Sequence, residues 1–167
     1  MAEITHFERL GLPLDFALDV AALERHYLER SRAVHPDHTG NDPGALEASA
    51  ALNEAYAILR DPFRRAEYLL TLAGGPSPAA VSQPPPEFLE EMLDLRMRIE
   101  DAKADPAIRA GFERSLLARR GRLLNDAAKG FAKLETASDR SQTLIAIRQS
   151  LNATKFINGL LRDLNED

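Results

Sequence analysis

The chain of 167 residues has room for one large domain or two small ones, and its hydrophobic fraction of 44% is ordinary for a globular protein. It contains no cysteine, which excludes disulfides, zinc–thiolate sites and a cysteine-held iron–sulfur cluster. Its net charge of −5 argues against general nucleic-acid binding, because that binding depends on cations that pair with phosphates. We expect no membrane insertion and no signal or transit peptide, and therefore a cytoplasmic protein.

Helix signals follow one another along the chain, and no segment alternates as a half-buried strand would. In the first half the pattern predicts four helices, over residues 5–10, 19–34, 43–60 and 62–72. Three acid–proline pairs place an N-cap carboxylate before a proline at the first helical position. Proline suits this position because a backbone N–H there would have no acceptor within the helix. These pairs are Asp42-Pro43, Asp61-Pro62 and Asp105-Pro106.

Proline and glycine mark the boundary between two halves of the chain. The segments Gly74–Pro78 and Pro84–Pro86 flank a stretch that has no apolar period, which predicts a stiff linker over 76–86. Three further helices, over residues 87–103, 106–135 and 138–164, carry apolar residues at helical spacing and could share one seam as a bundle. The sequence therefore predicts an all-α protein with domains over residues 1–75 and 87–167.

The loop after the second helix contains His35-Pro36-Asp37, in which a proline stiffens the backbone between two polar side chains. Asn53-Glu54-Ala55-Tyr56 and Asp61-Pro62 follow at the spacing of one helix. Together these residues resemble the J-domain, a helical hairpin whose His-Pro-Asp loop docks on Hsp70. The resemblance implies that the first half is a J-domain and the second half a three-helix bundle.

Three more segments narrow the resemblance: Leu10–Pro13, Arg65–Leu70 and Phe88–Arg96. They are similar to the HscB (Hsc20) family, the J-type co-chaperones of iron–sulfur cluster assembly. The resemblance covers nearly the whole chain. It implies a non-enzymatic protein without a cofactor. Its implied partners are a specialised, HscA-like Hsp70, whose ATPase it stimulates, and an IscU-like iron–sulfur scaffold protein, which it delivers.

The implied Hsp70-binding residues lie in and just before the loop. Arg25, Arg30 and Arg32 form a local cationic cluster on an acidic half of the chain, although they also suit a solvated helix face paired with Glu24 and Glu29. Arg32 is the nearest to the loop. Arg30 stands where the family usually turns an apolar residue inward, and His38 replaces a lysine. The predicted Hsp70-binding set is His35, Pro36, Asp37, Arg32, Arg30 and Arg25.

The implied scaffold-binding face lies on the tail. Leu89 and Leu93 are one helical turn apart, and Met92, Leu95 and Ile99 remain to supply an inward stripe. An equal alternative places Leu89, Leu93 and Phe156 in the core. Other apolar side chains, namely Val20, Leu23, Tyr27, Val34, Tyr56 and Tyr68, are expected in the core. The predicted scaffold-binding set is Leu89, Leu93, Asp94, Met97, Asp101 and Phe156.

Two other functions are compatible with the sequence. One is a J-protein that serves a general Hsp70 and another client. The other is a metal-dependent hydrolase using His35, Asp37 and His38, which lacks an evident nucleophile and further metal ligands. We therefore expect no catalytic residue and no metal site.

Overall fold

A computed structural model describes residues 4–34, 42–81 and 86–166, with the side chains of Pro86 and Glu87 left out. Within these ranges the protein is all-α, as predicted, and has no strand. The chain divides into two compact units, Met1–Leu69 and Leu70–Asp167. The helices are α1 (His6–Leu10), α2 (Val20–Ala33), α3 (Pro43–Arg60), α4 (Pro62–Leu72), α5 (Pro86–Ala104), α6 (Pro106–Lys133) and α7 (Arg140–Asn165).

Local capping explains where these helices begin. Thr5 and Glu8 form a capping box at the start of α1, in which each side chain accepts a backbone N–H bond from the other residue. Aspartates accept N–H bonds at the first turns of five other helices, and α3 and α4 begin at the predicted residues. These aspartates are Asp19, Asp42, Asp61, Asp105 and Asp139. No helix among the described residues is long and apolar enough to cross a membrane.

In the first unit, α1, α2 and α3 each contact the other two. Their core contains Leu23, as predicted, and is made mainly of aliphatic side chains. The rings of Tyr27 and Tyr56 stack with centroids 4.1 Å apart and are half-buried. The prediction that Val20 is core is wrong: it is the first residue of α2, and its side chain is 52% exposed.

In the second unit, α5, α6 and α7 form the predicted three-helix bundle, and α6 and α7 make the most extensive contact. One buried apolar cluster takes residues from all three helices. Its members are Leu95, Ile99, Ala102, Phe112, Leu116, Ile157, Leu160 and Leu164.

Part of the predicted linker is bonded to α7. The buried Arg148 donates from Nε to the carbonyl oxygen of Pro76 over 2.8 Å. The Asn152 amide donates to the carbonyl oxygens of Pro78 and Val81 over 3.2 and 2.7 Å. A short 3₁₀ helix, Pro78–Ala80, lies in this segment. Three backbone carbonyls of this segment thus have hydrogen-bond donors within the second unit. The sequence, which shows no apolar period here, could not indicate these bonds.

Candidate partner-binding surfaces

The predicted Hsp70-binding loop follows directly on α2. This helix ends at Ala33, and the backbone N–H of its C-cap, Val34, donates to the carbonyl oxygen of Arg30 over 3.3 Å. His35, Pro36, Asp37 and His38 lie outside the described residues. The roles assigned to them from the sequence therefore stay predictions.

Two of the three predicted arginines lie on one exposed face of α2. Arg25 and Arg32 are seven residues apart, which is about two turns of helix, and both are exposed. Leu28 lies between them on the same face and is 50% exposed. Sequence reasoning missed Leu28, although its spacing of three residues from Arg25 was the signal that could have found it. We call Arg25, Leu28 and Arg32 the α2 face.

Arg30 has a partner inside the first unit. Its Nη1 donates to the carbonyl oxygen of Arg9, 2.6 Å away at the end of α1. His26 Nδ1 lies 2.8 Å from the neighbouring carbonyl oxygen of Leu10. Two side chains of α2 therefore contact carbonyls that the short helix α1 leaves without helical partners. This contact gives Arg30 a structural role within the first unit.

Gly11 makes the approach of Arg30 possible. It caps α1 in the left-handed conformation, with φ of 65°, which only glycine adopts without strain. A Cβ atom at this position would collide with the guanidinium group of Arg30. A side chain at residue 11 would therefore force the guanidinium group of Arg30 to move.

In the second unit, α5 has one face in the core and one in solvent. The predicted inward stripe is confirmed for Leu95 and Ile99, which are buried, and Met92 is half-buried. On the opposite face Leu89 is 45%, Leu93 67% and Met97 77% exposed. These three follow one another at intervals of four residues and so share a face. We call Leu89, Leu93 and Met97 the α5 stripe.

Acidic side chains border the α5 stripe. Asp94 and Asp101 are both exposed, and the Asp94 carboxylate pairs with Arg98 over 3.5 Å. The guanidinium of Arg98 also lies over the ring of Phe112, 5.4 Å from its centroid. The surface is thus apolar along its middle and polar at its edge.

Phe156 differs from the two leucines with which it was grouped. It is half-buried and packs against the apolar cluster of the bundle. Sequence spacing could not separate these cases, because the burial of an α7 residue depends on how the helices pack. A role for Phe156 in scaffold binding stays a prediction.

No group of three acidic or histidine side chains in residues 4–34, 42–81 and 86–166 is arranged to hold a metal ion. His35, Asp37 and His38 lie outside these ranges, so this finding does not bear on them.

Family comparisons agree with this two-part architecture. Residues 5–68 match the DnaJ domain, and residues 84–165 match the HSCB C-terminal oligomerisation domain. The helical hairpin and its match define a J-domain protein. The second match, together with the relatives below, shows that the chain belongs to the HscB family of co-chaperones.

The relatives match the chain over most of its length. A co-chaperone protein HscB homolog from Bordetella avium is 32% identical over 98% of this chain and 97% of its own. One from Bordetella pertussis is 37% identical over 70% of this chain and 72% of its own. The solved chaperone HscB from Vibrio cholerae is 28% identical with a TM-score of 0.78, over 96% of this chain and 94% of its own. Human co-chaperone protein HscB shares the fold at 20% identity with a TM-score of 0.80, over 95% of this chain and 79% of its own.

Proposed function

We propose that this protein is a cytoplasmic co-chaperone that stimulates the ATPase of a specialised, HscA-like Hsp70 and delivers an IscU-like iron–sulfur scaffold protein to it. The observation that carries the proposal is the pairing of two surfaces on one chain. The α2 face leads to the His-Pro-Asp motif in a unit that matches the DnaJ domain. The α5 stripe is exposed on a unit that matches the HscB C-terminal domain.

The first unit binds the Hsp70. Arg25 and Arg32 attract an acidic surface of the chaperone, and Leu28 adds apolar area between them. His35 and Asp37 then bind the hydrolysis-competent conformation of the chaperone better than the resting one, which shifts its population. ATP is hydrolysed in the partner, and this chain acts without catalytic chemistry of its own.

The second unit binds the scaffold protein. The side chains of the α5 stripe are held in water by a helix whose other face is buried, so burying them against a partner is favourable. Each fully buried leucine or methionine contributes roughly 1.5–3 kcal/mol. Asp94 and Asp101 add polar contacts at the rim of such an interface.

The two activities are coupled because one chain carries both surfaces. A scaffold protein bound to the second unit is held near any Hsp70 bound to the first, so its effective concentration at the chaperone rises. The chain therefore acts as an adaptor, and the iron–sulfur cluster is cargo carried by the scaffold.

Steady-state ATP hydrolysis by a purified HscA-like Hsp70 tests the proposal. The full chain and an IscU-like scaffold should together raise the rate more than the two separate increases combined. Leu93→Ala should remove this synergy but keep the stimulation by the chain alone. Leu117→Ala is the matched control, because Leu117 is an exposed leucine of the same unit on α6.

Two results would contradict the proposal. If the chain stimulates a general Hsp70 but not the HscA-like one, the partner is wrong. If the scaffold adds nothing to stimulation by the wild-type chain, delivery of the scaffold is wrong.

A further inference from the structure

The first half of α5 has few buried apolar contacts. The buried residues of α5 are Leu95, at the middle of the helix, and Ile99 and Ala102 in its second half. In the described first half, Phe88 and Met92 are only half-buried. Leu89 and Leu93 are carried by this weakly buried segment, so other contacts must hold it in place.

Arg119 of α6 supplies such contacts. Its Nη1 and Nη2 atoms each contact one carboxylate oxygen of Glu91, which makes the pair bidentate. Its guanidinium group also lies over the ring of Phe88, 5.5 Å from the centroid. One side chain of α6 therefore holds two residues from the first six of α5.

The position of these contacts bears on the α5 stripe. Residues 88 and 91 are three apart and share the face of α5 turned towards α6, while Leu93 and Met97 point to the other side. A planar, two-pronged contact restricts rotation of the helix about its own axis more than one flexible apolar contact does. Rotation of the first two turns would change the angle at which Leu89 and Leu93 meet a partner.

The ion pair is well placed to persist. The Arg119 side chain is 22% exposed and that of Glu91 39%. Burial lowers the pKa of Arg119 from its usual value, and the neighbouring charge of Arg122 lowers this pKa further. An arginine keeps its charge at neutral pH nonetheless, so a partly buried guanidinium needs the Glu91 carboxylate beside it.

We infer that Arg119 is a positioning residue for the scaffold-binding surface. Its ion pair with Glu91 and its cation–π contact with Phe88 fix the orientation in which α5 presents Leu89 and Leu93. This inference rests on the proposed function, because it assigns the α5 stripe to the scaffold protein. Arg119 acts through α5 and need not touch the scaffold itself.

Calorimetric titration of the full chain with an IscU-like scaffold measures the effect. Arg119→Gln should weaken binding roughly tenfold, because the scaffold must then order the start of α5. The reversed pair, Arg119→Glu with Glu91→Arg, should recover binding to within about threefold of wild type, since the contact is rebuilt. Lys129→Gln is the matched control: Lys129 pairs with Asp126 on α6 over 3.4 Å and is 62% exposed, so its loss should change affinity less than about twofold.

Hydrogen exchange of the protein without a partner separates positioning from general stability. In Arg119→Gln the amides of residues 89–94 should exchange faster, while those of residues 95–104 stay as in wild type. The inference is overturned if Arg119→Gln binds as wild type, or if exchange rises equally through the whole bundle. It is also overturned if binding is lost with no change in exchange, since Arg119 would then contact the scaffold directly.

Failure of the proposed function has a different signature. In that case the wild-type chain does not bind the scaffold, or Leu93→Ala binds it as well as wild type does. If Leu93→Ala loses binding and Arg119→Gln does not, the scaffold site stands and only the positioning role of Arg119 fails.

Discussion

Arg30 donates a hydrogen bond to the carbonyl oxygen of Arg9, 2.6 Å away, and so connects the last turn of α2 to the end of α1. The arginines of α2 therefore fall into two groups. All three are exposed, but Arg30 is hydrogen-bonded to α1, whereas Arg25 and Arg32 lie on the α2 face. Substitutions at the two kinds of position should have different effects.

Arg30→Ala should destabilise the first unit by about 1 kcal/mol, because the carbonyl oxygen of Arg9 loses a charge-assisted bond at a partly solvated site. Stimulation of Hsp70 should persist at temperatures where the unit stays folded. Thermal denaturation followed by circular dichroism, with Arg25→Ala as the control, measures the difference. If Arg30→Ala melts as wild type does but no longer stimulates, Arg30 contacts the chaperone after all.

Asp37→Asn should abolish stimulation of the Hsp70 and leave the melting temperature unchanged. A hydrogen bond that involves a charged group is worth roughly 1.5–3 kcal/mol, so losing this charge should weaken docking about ten- to a hundredfold. Glu47→Gln, which removes a charge from an exposed site on α3, is the control. Full stimulation by Asp37→Asn would remove the basis of the J-domain assignment.

Docking on the Hsp70 should weaken as salt rises, because exposed charges more than about 8–10 Å apart are largely screened at physiological ionic strength. Arg32→Glu should weaken docking further and flatten its dependence on salt. Surface plasmon resonance at several salt concentrations gives both quantities. An affinity that does not change with ionic strength would show that Arg25 and Arg32 are solvated charges without a role in docking.

Leu93 and Phe156 should respond differently to alanine. Leu93→Ala should reduce scaffold affinity with little change in stability, since an exposed side chain leaves no cavity. Phe156→Ala should lower the free energy of unfolding by roughly 1.5–2.5 kcal/mol, about half the usual cost of truncating a fully buried phenylalanine. Urea denaturation and calorimetric titration of both variants measure these effects. If Leu93→Ala unfolds more readily than Phe156→Ala, the placement of the two side chains is reversed.

The capping box of α1 should make the first unit sensitive to acid. Hydrogen bonds from the Thr5 backbone N–H and hydroxyl lower the pKa of Glu8 below its usual value. A lowered pKa in the folded state means that this stabilisation is complete above the unfolded pKa and is lost as the pH falls through the folded one. Glu8→Gln should therefore melt earlier than wild type at neutral pH. The two melting temperatures should converge in acid, and a constant difference would contradict the argument.

Much of the fold could be predicted from the sequence because its signals are local. The acid–proline pairs at Asp42 and Asp61 marked the starts of α3 and α4 to the residue. A cap and the first turn it closes lie within four residues, so no tertiary contact is needed to recognise them. The inward position of Leu95 and Ile99 followed in the same way from helical spacing.

By itself the sequence determined the seven helices of the part of the chain that the structure describes, and the residues that resemble a co-chaperone family. The tertiary structure alone decided which polar side chains find partners far along the chain. Arg119 and Glu91 are 28 residues apart in the sequence. Asn152 donates a hydrogen bond to the carbonyl oxygen of Val81, which lies 71 residues before it in the sequence. Capping and periodicity act within one or two turns of a helix, whereas these contacts exist only after the helices have packed.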